Sequence, residues 1–85
     1  MADSFMIRFV LHGKPCYANV YVYNTIPIEY HVHLVNAHLY PGVPEEIVIV
    51  DGHEGLKPRE LSAAISAEVK HIIQEIEQHR DARRN

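Results

Sequence analysis

Phe5-Met6-Ile7-Arg8-Phe9-Val10-Leu11-His12-Gly13-Lys14-Pro15-Cys16-Tyr17-Ala18-Asn19-Val20-Tyr21-Val22-Tyr23 is the stretch from which the fold can be read. Its odd positions from Phe5 to Leu11 are all large and apolar, while Arg8 and His12 fall on the even set, the period of two that marks a half-buried strand. Gly13 follows where a tight hairpin needs positive φ. A two-residue His12-Gly13 turn sets Leu11 opposite Lys14, Phe9 opposite Cys16, Ile7 opposite Ala18 and Phe5 opposite Val20, so both strands agree on the apolar face. Cys16, Ala18, Val20 and Val22 then turn inward, and Tyr17, Asn19, Tyr21 and Tyr23 outward. Pro15, with no N–H to donate, is expected at an edge or just beyond the ladder.

Asn24-Thr25-Ile26-Pro27 interrupts the alternation, which resumes as Ile28, Tyr30, Val32 and Leu34 set against Glu29, His31 and His33, a third strand. Asn36 to Glu45 holds Pro41-Gly42 and Pro44 and reads as a longer loop. Ile47 to Val50 is a continuous β-branched run, expected as a fourth strand covered on both faces or sheltered by that loop. Asp51-Gly52-His53-Glu54-Gly55 ends it with turn chemistry. Pro58 and Glu60 suit a first helical turn, because proline loses nothing there and a carboxylate favours the positive end of the helix dipole. Leu61, Ala64, Ile65, Val69, Ile72, Ile73 and Ile76 recur at helical spacing as one apolar stripe. The expectation is therefore α+β: an antiparallel sheet of about four strands, over about 5–12, 16–23, 28–35 and 46–50, in ββββα order. One C-terminal amphipathic helix over about 58–80 covers one face, and residues 1–85 form a single small domain.

A chain of 85 residues buries only about 60% of its unfolded surface, so metal or self-association is a natural support. An internal disulfide is excluded, because Cys16 is the only cysteine; its use fits a reducing compartment, and a cytoplasmic location is expected. Met1-Ala2-Asp3-Ser4 places no basic segment ahead of a long apolar run, so neither secretion nor membrane spanning is expected. With 8 Lys and Arg against 11 Asp and Glu, the formal charge of −3 has the wrong sign for neutralising phosphates, and nucleic acid is disfavoured as a partner. The 7 histidines soften this balance as the medium acidifies.

No nucleophile, phosphate cradle or cofactor fingerprint is placed by the sequence, so candidate sites are argued from surfaces. The leading one is the outer sheet face, where Arg8, Tyr17, Asn19, Tyr21 and Tyr23 share a side with His31 and His33; tyrosine and arginine combine large contact area with a polar tip. Cross-strand pairing alone also explains such aromatics. The expected function is a non-enzymatic protein-interaction module that self-associates, with a homodimer as its simplest form and either this face or an exposed strand edge as its contact. The alternative is a metal centre, and a third, weaker reading is single-stranded nucleic acid stacked on the exposed aromatics. Glu29, His31 and His33 alternate on one face, His38 follows in the loop, and imidazole pairs suit a transition metal such as zinc.

The remaining clusters carry less. Asp51, His53 and Glu54 collect an acid and a base in a solvated turn, and His71, Glu75 and His79 recur at the spacing of a solvated helix face. Cys16 on the inner face acts as a small apolar residue, and Arg80, Arg83 and Arg84 suit a helix C-terminus.

Overall fold

The computed structural model describes residues 3–11, 13–35, 42–60 and 68–84. Five strands, β1 (Asp3–Leu11), β2 (Lys14–Tyr23), β3 (Ile28–Leu34), β4 (Glu46–Gly52) and β5 (Gly55–Pro58), precede one helix, α1 (Val69–Arg84). The sheet is an antiparallel meander in the order β1-β2-β3-β4-β5. The α+β arrangement read from the sequence is the one observed, with a short fifth strand added.

The first hairpin forms in the expected register, pairing Leu11 with Lys14, Phe9 with Cys16, Ile7 with Ala18 and Phe5 with Val20. Gly13 supplies the turn with φ +79°, a conformation that costs an L residue roughly 1–2 kcal/mol. Between β2 and β3 the chain turns through a cis Ile26-Pro27 bond, where the Thr25 hydroxyl donates to the Pro27 carbonyl at 2.8 Å. Two registers then follow that the sequence leaves open: Tyr21 sits opposite His31 and Asn19 opposite His33, and His31 sits opposite Val48 and His33 opposite Glu46.

Inward residues of all five strands meet the helix in one core that includes Leu11, Cys16, Val20, Val32, Ile49, Ile72 and Ile76. Among the described residues no polar or charged side chain is buried in it. A flat five-stranded sheet would hold its two edges about 19 Å apart, nearly twice the width of a helix, about 10–12 Å. Yet α1 packs on β1 and also reaches β5, so the sheet curls around the helix. Two contacts near the helix C-terminus mark the closure: His79 stacks on Phe5 with ring centroids 3.8 Å apart, and Arg80 donates to Asp51 at 3.2 Å. No helix of the described residues is long and apolar enough to cross a membrane.

Three expectations about the second half of the chain differ from what is observed. β4 runs to Gly52, and instead of being covered on both faces it alternates, with Ile47 and Ile49 buried and Val48 and Val50 half-buried. The reason is its partner strand, whose His31 and Glu29 place a polar face beside those valines. Asp51 to Gly55 is a turn as expected, but its far side continues as β5, because Gly55 at φ +103° folds the chain straight back on β4. Pro58 consequently ends a strand, where the sequence placed the start of a helix. Proline suits both a first helical turn and an edge strand, since neither position needs its N–H. The described helix begins at Val69, and Leu61, Ala64 and Ile65 of the expected stripe lie outside the described residues.

Candidate functional site on the outer sheet face

The side of the sheet that the helix leaves open collects the residues expected there. β2 contributes Tyr17, Asn19, Tyr21 and Tyr23 from alternate positions; β1 adds Arg8, opposite Tyr17; and β3 adds Glu29, His31 and His33. Tyr17, Tyr21 and Tyr23 remain 42%, 38% and 44% exposed, so each ring is seated on the sheet yet offers about half its surface outward. The rings are held by diagonal cross-strand contacts: Tyr21 meets His33 edge to face at 5.1 Å, and Tyr23 meets His31 at 4.3 Å and 55°. Such pairs contribute roughly 0.5–1.5 kcal/mol beyond area burial and limit the freedom a partner would otherwise have to remove.

Around the histidines lies a chain of charge that sequence reasoning identified only in part. Arg59, just past β5, pairs with Glu29. The other carboxylate oxygen of Glu29 accepts from His31 Nε2 at 2.9 Å. His31 Nδ1 lies 3.8 Å from Glu46 Oε2, and that same oxygen lies 2.8 Å from His33 Nε2. Basic groups and carboxylates thus alternate through Arg59, Glu29, His31, Glu46 and His33, drawn from β3, β4 and the residue that follows β5. Glu46 and Arg59 were missed because each is separated from the His pair by a loop or hairpin, so only the register reveals them. Their one sequence signal is parity: an acidic residue at the start of the fourth strand on the same alternation as Val48 and Val50.

This arrangement bears on the metal alternative. Among the described residues no group of three or more His, Cys, Asp or Glu is arranged to hold a metal ion. The His31 and His33 nitrogens face carboxylate oxygens at close range, whereas ligands of a tetrahedral ion stand about 2.0–2.2 Å from a shared centre. His38 lies outside the described residues.

The other clusters disperse. Asp51 is engaged by Arg80, and Glu54 by Lys57 within the turn, leaving His53 exposed at the tip. On the helix, His79 stacks on Phe5 while His71 is exposed. Cys16 is fully buried; burial pushes its thiol above the ordinary value of 9.0, opposed to a lesser degree by its contact with the Tyr17 carbonyl at 3.8 Å. Charges on this side of the sheet are mixed among the described residues, with Arg8 and Arg59 set against Glu29 and Glu46. That balance offers no phosphate-binding field. Neither family models, nor curated proteins, nor solved structures include a match to this chain.

Proposed function

We propose that the protein is a small non-enzymatic interaction module that captures a protein partner on its outer sheet face, self-associates, and works in the cytoplasm. The observation that carries this reading is the row of Tyr17, Tyr21 and Tyr23 along one strand, each half-exposed, with Tyr21 set against His33 and Tyr23 against His31. Rigid aromatic area with polar tips is what interface anchors are made of, and Arg8 beside the row and Asn19 within it add directional hydrogen bonding. The buried free thiol of Cys16 supports a reducing compartment. The test is the double variant Tyr21→Ser with Tyr23→Ser, its fold verified by circular dichroism and used as bait beside the parent protein. Partner retention should fall at least roughly tenfold, the effect of losing one anchor; equal retention by both baits would contradict the reading.

One observation favours a second reading, a protein that binds a transition metal such as zinc. Glu46 brings a carboxylate oxygen to 2.8 Å from His33 Nε2 and 3.8 Å from His31 Nδ1, so donors of the types a transition metal takes stand side by side, though the described residues are not arranged around an ion. His31→Ala with His33→Ala should then abolish bound metal in protein purified without chelator, and unchanged metal content would exclude the pair as ligands.

A further inference from the structure

The two edges of the sheet are built differently. The Val35 N–H donates to the Tyr17 carbonyl at 3.0 Å, which turns the odd residues of β2 toward β3 and its even residues toward β1. The odd residues of β1 are their partners. Ser4, Met6, Arg8 and Val10 therefore aim their N–H and C=O groups away from the sheet, in line along a strand of 9 residues. At the opposite edge the Arg59 N–H donates to Val48 at 2.8 Å, which leaves Leu56 and Pro58 facing outward in a strand of 4 residues. Pro58 has no N–H to offer, so that edge is short and blunted. Among the described residues β1 has no such protection: it holds no proline, and Met6 and Val10 beside its outward groups are 60% and 57% exposed.

Between this edge and α1 run clefts of about 390 and 410 Å³, lined by Arg8 of the strand and Glu75 and Gln78 of the helix. Among the described residues neither Arg8 nor Glu75 has an ion pair.

We propose that the β1 edge pairs antiparallel with β1 of a second copy of this chain, joining two five-stranded sheets into one. The inference rests on the reading of the protein as a self-associating module and names the surface that does it. A two-fold axis at Ile7 sets Ser4 opposite Val10 of the second copy and Met6 opposite Arg8, and every outward N–H and C=O of the four residues then finds a partner. The contact is self-complementary, as a two-fold interface must be. It also matches charge. The Arg8 of each copy arrives beside the other's Met6, at the mouth of the cleft that Met6, Arg8 and Glu75 line, which brings a second cation toward that carboxylate on each side of the axis. The outer faces of the copies end on the same side, leaving both tyrosine rows open.

The experiment is residue-resolved amide exchange on the full chain at low and high protein concentration, with sedimentation velocity on the same samples. The outward amides of Met6, Arg8 and Val10 should exchange at least roughly tenfold more slowly as the dimer forms, while the odd β1 amides are protected throughout. Met6→Pro removes one outward donor that the hairpin does not use and should leave a folded monomer; Met6→Lys serves the same purpose if proline disturbs folding. Arg8→Glu should weaken the dimer, and Glu75→Arg added to it should restore association. A dimer whose even β1 amides stay fast, or one that survives Met6→Pro and Met6→Lys yet is lost with Tyr21→Ser and Tyr23→Ser, overturns the edge pairing and leaves the module reading intact. A monomer at every concentration also overturns the edge pairing, and partner capture by the tyrosine face then decides the module reading alone.

Discussion

Ile72 and Ile26 are the same side chain in opposite settings, and replacing each with alanine measures what the helix contributes. Ile72 lies on the buried stripe of α1 with no exposed surface, while Ile26 at the β2–β3 turn is fully exposed. Truncating a buried isoleucine costs about 2–5 kcal/mol from lost transfer energy and the cavity left behind. At about 0.05–0.15 kcal/mol per residue, a chain of 85 residues has a total stability of roughly 4–13 kcal/mol. Ile72→Ala is therefore expected to remove between about a sixth and all of the stability, and Ile26→Ala less than about 0.5 kcal/mol. Urea unfolding followed by circular dichroism checks both, read as a shift in midpoint at constant slope. A loss below about 1 kcal/mol for Ile72→Ala would refute the packing of α1 on the sheet, because no buried isoleucine that bridges helix and core can be removed so cheaply.

Other outcomes are equally specific. Gly13→Ala meets no neighbour within 4 Å, so its cost should be conformational strain alone, about 1 kcal/mol in the same unfolding assay; a neutral result would mean the turn does not hold φ +79°. Cys16 keeps its proton in the folded state above the ordinary thiol value of 9.0, whereas the unfolded chain ionises there. Its contribution to stability is thus complete below that pH and declines as pH rises above it, and Cys16→Ala should lack this part of the alkaline decline. In the native protein, labelling of Cys16 by a thiol reagent should proceed only at the rate of global opening; rapid labelling under native conditions would contradict its burial. Lys57→Ala breaks an exposed ion pair with Glu54 and should change stability by less than about 0.5 kcal/mol, a value that a thermal melt bounds.

The legible part of this fold is where chemistry is local. The β1–β2 register follows from one glycine and two alternating runs, and it places Tyr17, Asn19, Tyr21 and Tyr23 outward without reference to anything distant. The third strand shows the same period, so the shared face of Tyr and His is legible too. What escapes is non-local or degenerate. β5 spans 4 residues, Gly55–Pro58, too few to show a period, and Pro58 is as compatible with a helix start as with an unpaired edge. The Arg59–Glu29 and Glu46–His33 contacts depend on how β4 meets β3, which is distant in sequence, and how β5 meets β4. Alternation sets which face a residue occupies, but not which residue of another strand it faces. The contrast between the β1 and β5 edges is likewise invisible until strand order places those two strands outermost.

Native mass spectrometry of untagged protein purified without chelator separates self-association from metal binding, because one spectrum counts both subunits and retained metal. An interaction module that self-associates should appear as a dimer of bare chains, in equilibrium with monomer on dilution. A monomer carrying one stoichiometric metal ion would contradict that account and put the His31, His33 and Glu46 cluster at the centre of the protein's function.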